Sequence, residues 1–119
     1  MTSHDYLVEM SFDPFASPLT PQEATAFAER VALPTFESLR KMAGDGRVLA
    51  GGPLLAATGL AFIARAESPQ GLEEMVGALP LFPRARTRVV PLGTFEGRVG
   101  TIRGFLDKAT PASPQASQG

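Results

Sequence analysis

Tyr6-Leu7-Val8-Glu9-Met10-Ser11-Phe12 is the stretch that decides the fold. Side chains alternate across an extended chain, so Tyr6, Val8, Met10 and Phe12 fall on one side and Leu7, Glu9 and Ser11 on the other. The residue types favour β structure, and Asp13-Pro14 ends the run. The chain therefore opens with a strand whose more apolar side calls for cover by helices. Its other side carries a carboxylate, Glu9.

Working outward, 16–21 reads as a linker, and Thr20-Pro21-Gln22-Glu23 as a helix start. Thr20 is placed to cap, proline fits the first helical position, and Glu23 completes a capping box. Ala24, Phe27, Ala28 and Val31 follow as an apolar stripe, which resumes at Phe36, Leu39 and Met42. Pro34 falls inside the pattern and should kink or split the helix. Gly44-Asp45-Gly46 stops it. Arg47 to Leu55 reads as a strand bent at Gly51-Gly52-Pro53, where a bulge or a close backbone approach is expected. After a turn over 56–59, Leu60 to Ala66 forms the second arm of a hairpin. Ser68-Pro69 opens another helix, with Leu72, Met75, Val76 and Leu79 at helical spacing, and Pro80 ends it. Arg84 to Leu92 alternates again as a fourth strand, with Arg84, Arg86 and Arg88 on one side. Phe95 to Leu106 is expected to add a short strand or an arm over a partner. From Asp107 the chain is rich in Ala, Pro, Ser and Gln, a composition that does not pack.

The order β-α-β-β-α-β points to an α+β fold of ferredoxin-like type with an antiparallel sheet. It would occupy 1–106 as a single domain, with 107–119 a disordered tail. Two helices cover one sheet face, so the other needs cover of its own. A second copy of the same sheet would supply it, giving a dimeric α+β barrel with an internal cleft in each subunit.

Composition narrows the chemistry. The 119 residues include 11 Lys+Arg and 12 Asp+Glu, a net charge of −1. That balance argues against nucleic acid and against an anionic membrane surface. There is no cysteine, so thiolate catalysis, disulfides and thiolate-bound metals are excluded. A single histidine, His4, rules out a multi-histidine metal site within one chain. No run of about 18 apolar residues is present to span a bilayer. The opening Met-Thr-Ser-His-Asp has neither the basic nor the apolar part of a signal peptide, so a cytoplasmic location is the default expectation.

The block Ala78-Leu79-Pro80-Leu81-Phe82-Pro83, followed by Arg88-Val89-Val90-Pro91-Leu92, resembles the muconolactone isomerase family. So does the opening Tyr6-Leu7-Val8-Glu9-Met10, and the likeness covers roughly 6–92. What the resemblance implies is a dimeric α+β barrel, often built into larger rings. It also implies an intramolecular proton shift in a small unsaturated lactone without a cofactor. The chain departs from the family in its second strand: Arg47-Val48-Leu49-Ala50-Gly51-Gly52-Pro53 lacks the Trp and His that family members carry there.

Glu9 is the leading catalytic candidate. Enclosed in a cleft between two sheets, a carboxylate loses water and becomes suited to taking and returning a proton. The plainer alternative is an ion pair with an arginine. Arg65, Arg86 and Arg88 are candidate anchors for a substrate oxygen, because a guanidinium presents a fork of donors; solvated strand faces are the alternative. His4 could sit at a cleft mouth as a second proton-transfer group, or be a bystander. Tyr6 and Phe62 are candidate pocket walls or core residues. Gly51-Gly52-Pro53 could offer backbone amides to an oxyanion, or simply be a bulge. The leading expectation is a cofactor-independent isomerase or cyclase acting on a small apolar lactone or polyketide-derived ring. The alternatives are a non-catalytic dimer that binds a small molecule or stabilises a partner enzyme, and a cofactor-less monooxygenase of the same architecture.

Overall fold

A computed structural model describes residues 3–12, 20–55 and 58–109. Strand β1 (His4–Ser11) occupies the stretch read first. Its burial alternates: Tyr6, Val8 and Met10 are buried, while Leu7 and Glu9 are half-covered. The Asp13-Pro14 stop and residues 16–19 of the linker lie outside the described residues.

Helix α1 (Pro21–Phe27) starts as its residues dictate. The Thr20 hydroxyl accepts the Glu23 N–H at 3.1 Å, and the Thr20 N–H donates to the Glu23 carboxylate at 2.8 Å. Helix α2 (Leu33–Gly44) follows without a loop, through a π-helical turn over Ala28–Ala32. Pro34 has no N–H and its ring crowds the carbonyl four residues back. The ladder adapts by widening: the Leu33 N–H reaches back to the Ala28 carbonyl, five residues away. The expected kink is thus a register change rather than a break.

Strands β2 (Val48–Pro53) and β3 (Gly59–Ala66) form the expected hairpin. Between Val48 and Ala50 the pairing slips, which is the bulge. Gly51 has φ +147°, and a Cβ there would lie 2.5 Å from the Ala61 carbonyl oxygen and from Phe62 Cβ. Only glycine fits so close to the neighbouring strand.

Helix α3 (Pro69–Gly77) is capped by Ser68, whose hydroxyl accepts the Gly71 N–H at 3.0 Å. A short 3₁₀ turn over Phe82–Arg84 precedes β4 (Arg86–Leu92). The fourth strand therefore starts two residues later than the alternation suggests. Arg84 is not on it, and its guanidinium lies 5.7 Å from the centre of the Phe27 ring. The pair Pro83 and Phe82 favours a tight turn over an extended start.

The sheet is antiparallel throughout, in the order β2-β3-β1-β4. The chain is α+β with an open four-stranded sheet, consistent with the ferredoxin-like class. Tyr6, Val8 and Met10 join Leu60, Phe62 and Ala64 under Leu39 and Met42 of α2 and Leu72 and Val76 of α3. Thr35, a buried polar residue beside this layer, accepts the Leu81 N–H at 3.0 Å and so ties α2 to the turn before β4.

The segment after β4 corrects a sequence expectation. Phe95–Ala109 is a helix, α4, not a strand. Its start follows from local chemistry: the Thr94 hydroxyl accepts the Gly97 N–H at 2.8 Å. The helix continues through Asp107, Lys108 and Ala109, past the point where composition ends the domain. Residues 110–119 lie outside the described part.

Candidate functional site

Register assigns the side chains of β1, β3 and β4 to faces. Helices cover the face holding Tyr6, Val8 and Met10. On the opposite, uncovered face, β1 contributes Asp5, Leu7, Glu9 and Ser11, which sit beside Arg65, Ile63, Ala61 and Gly59 of β3. On their other flank lie Leu92, Val90, Arg88 and Arg86 of β4.

Cross-strand rows give this face its relief. One row runs Ala50, Ile63, Leu7, Val90 and forms an apolar ridge. The next runs Gly52, Ala61, Glu9, Arg88. Beyond it lie Gly59, Ser11 and Arg86. Gly52, Ala61, Gly59 and Ser11 are all small, so they make a low floor beside the ridge. Glu9 and Arg88 stand at its border.

The Arg88 Nη1–H donates to Glu9 Oε1 at 2.8 Å. The two residues are direct cross-strand partners, the arrangement in which opposite charges on a sheet attract. The side chains are 71% and 41% exposed, for Arg88 and Glu9 respectively, so the pair adds no more than about 1 kcal/mol to stability. A second cross-strand pair joins the Arg65 Nε–H to Asp5 Oδ1 at 3.0 Å. The two ion pairs stand on either side of the Ile63–Leu7–Val90 ridge. Arg88 uses one of its five donors on Glu9 and has others to present outward.

The structure divides the sequence-derived candidates between two faces. Glu9, Arg65, Arg86 and Arg88 share the uncovered face. Tyr6 and Phe62 are 5% and 3% exposed on the helix-covered face, inside the core. They cannot touch a ligand that sits on Glu9 in the same subunit. His4 is exposed at the start of β1, on the Tyr6 side of the alternation. It lies five residues from Glu9, about 16 Å along a strand. His4 and Glu9 are not brought together within one subunit.

A cavity of about 400 Å³ reaches the Glu9 face at Ser11 and Arg86, beside Phe12 and Arg84, and two more flank the sheet. One, of about 300 Å³, lies between α2 and the β2 edge, against Phe36, Leu39, Leu49 and Gly51. The other, of about 520 Å³, lies between α3 and β4 over Tyr6, Leu72, Val76, Phe82 and Val89. The close approach of β3 accounts for Gly51, and so for much of the Gly-Gly-Pro motif, without an oxyanion. Among the described residues no three His, Asp or Glu side chains cluster to hold a metal. No described helix is long and apolar enough to cross a membrane.

Two groups of residues escaped sequence reasoning. Asp5, the partner of Arg65, was legible from alternation alone, because it shares Glu9's parity. The Leu7, Ile63 and Val90 ridge was not, because it depends on the register of three strands. No family model matches the chain, and no curated protein matches it.

Proposed function

We propose that the protein is a homo-oligomeric, cofactor-independent isomerase or cyclase, acting on a small apolar lactone or polyketide-derived ring. Its site is the uncovered sheet face, closed by the same face of a second copy in a dimeric α+β barrel. The observation that carries the reading is the Glu9–Arg88 pair, set at the border of a floor of small residues and beside an apolar ridge. The likeness of 6–10, 78–83 and 88–92 to muconolactone isomerases points the same way.

The chemistry follows from the two groups. A ring carrying an acidic oxygen draws an Arg88 N–H to itself, which releases Glu9 Oε1. The carboxylate then takes a proton from one ring carbon and returns it to another, so the double bond moves and nothing is consumed. Negative charge that builds on the oxygen during the shift is met by the guanidinium. Arg86 and Arg65 line the rim and attract the acidic oxygen of the ring. The Ile63–Leu7–Val90 ridge receives the apolar part of the ring, and a second sheet above it excludes water.

The test is turnover of a panel of unsaturated lactones and polyketide-derived rings by the wild type and by Glu9→Gln. A positioned acid–base group contributes about 10²- to 10⁴-fold, so Glu9→Gln should lose that much rate while keeping its fold. Wild-type rates in Glu9→Gln would refute the mechanism. The second reading is a non-catalytic dimer that binds the same ring class. The unsubstituted β2 favours it, since Leu49, Ala50, Gly51 and Gly52 offer no side-chain donor. It predicts thermal stabilisation by such rings with no conversion.

A further inference from the structure

Helix α4 lies outside the sheet-face reading. None of its 15 residues is buried, and it has no extensive packing on any other described element. Phe95, Val99, Ile102 and Leu106 recur at steps of four, three and four, so they form one stripe. They are 94%, 49%, 48% and 52% exposed. Gly97, Gly100 and Gly104 weaken the helix from within, and an isolated helix of about 15 residues is marginal even with good helix formers. A helix of this composition persists in water only when its apolar stripe is buried against something.

The same chain offers an unfilled surface of the right kind. The α3–β4 groove is apolar and about 520 Å³ in volume. Phe82 and Val89 on its walls are 41% and 43% exposed. Thr87, also in its lining, has a buried hydroxyl without a hydrogen-bond partner. The stripe fits within the length of the strand beside the groove: 11 helical steps cover about 16 Å, and the seven residues of β4 about 23 Å. Stripe and groove match in charge. Helix α3 carries Glu73 and Glu74 and no cation, while Arg98 and Arg103 flank the α4 stripe. None of these four is in an ion pair among the described residues.

We propose that α4 of each copy docks in the α3–β4 groove of a second copy, in a reciprocal exchange. The Thr94 cap, reinforced by the Arg98 N–H donating to the Thr94 carbonyl at 3.1 Å, sets the direction of α4 directly after β4. That direction leaves the chain's own groove unfilled. A two-fold partner supplies the missing half of both contacts without any new sequence.

The chain has no cysteine, so introduced thiols report without background. Val89→Cys marks the groove and Ile102→Cys marks the stripe, both at exposed positions. Co-expression of the two single variants and mild oxidation should give a disulfide-linked dimer containing one chain of each. Absence of that mixed dimer overturns the proposal. So does a Val89→Cys/Ile102→Cys double variant that closes its disulfide within a single chain, which would mean that α4 folds back on its own groove. Ile102→Asp is the independent check, at a site remote from the core. Amide exchange in α4 should be at least about tenfold faster than in the wild type, because the docked helix is protected and the loose one is not. Equal exchange rates overturn the proposal as well.

Discussion

Gly51 and Gly52 are neighbours with opposite tolerance for a side chain. At Gly51 an added Cβ meets the Ala61 carbonyl and the Phe62 backbone, and φ is +147°; at Gly52 nothing lies within 4 Å. Gly51→Ala should therefore lower stability by about 1–3 kcal/mol in urea unfolding, while Gly52→Ala changes it by less than about 1 kcal/mol. Equal effects would mean that β3 does not press on β2 at that point. Thr35 makes a comparable residue-level prediction. Its hydroxyl is buried and serves the Leu81 N–H, so Thr35→Val leaves that donor without a partner. The expected loss is about 1–3 kcal/mol, again by urea unfolding. Neither effect was legible from sequence, since Gly51 and Gly52 look alike in a row and Thr35 sits on an apolar stripe without announcing a partner.

Helix α1 owes its start to a titratable contact. The Thr20 N–H, and secondarily the Thr20 hydroxyl, hold the Glu23 carboxyl below its ordinary pKa of 4.5. A carboxylate whose folded pKa is lowered stabilises the fold above the unfolded value, and that contribution disappears as pH falls through the folded value. Amide protection at the first turn of α1, taken relative to intrinsic exchange at each pH, should therefore fall on acidification below 4.5, and Glu23→Gln should remove the pH step. Asp45 behaves alike at the end of α2, where hydrogen bonds from Arg47 lower its pKa. The starts of α1 and α3 were readable because caps are local: Thr20 and Ser68 act on backbone within three residues. Helix α4 was missed although Thr94 and the stripe from Phe95 to Leu106 carry the same signals. Its three glycines mask the pattern, and only a helix gives them a common face opposite the stripe.

At the level of the whole molecule, one sheet face is covered by helices and the other is not. The uncovered face combines a hydrophobic ridge with two cross-strand ion pairs, a pattern suited to a specific contact. If a second copy closes it, Leu7→Glu places charge in the middle of that contact. On the Ile102→Asp background, where α4 no longer joins two copies, the variant should sediment as a smaller species than Ile102→Asp alone at equal concentration. Leu7 is half-covered and outside the core, so its melting transition should remain cooperative. An unchanged sedimentation coefficient would show that the face stays open in solution, and the enclosed acid–base site would then have no roof.

Alternation and capping are properties of neighbouring residues, and they were enough for the four strands, the starts of α1 and α3 and the separation of Glu9 from the core face. Absence of cysteine and the near-zero charge bounded the chemistry in the same way, by simple presence of atoms. Which arginine meets Glu9 was not available at that range. Arg86 and Arg88 are equivalent by period, and only the β1–β4 register sets Arg88 opposite the carboxylate. The same holds for the parting of His4, Tyr6 and Phe62 from Glu9, and for the small-residue floor beside it. These depend on contacts between strands far apart in the chain, where a shift of one residue would exchange the two faces.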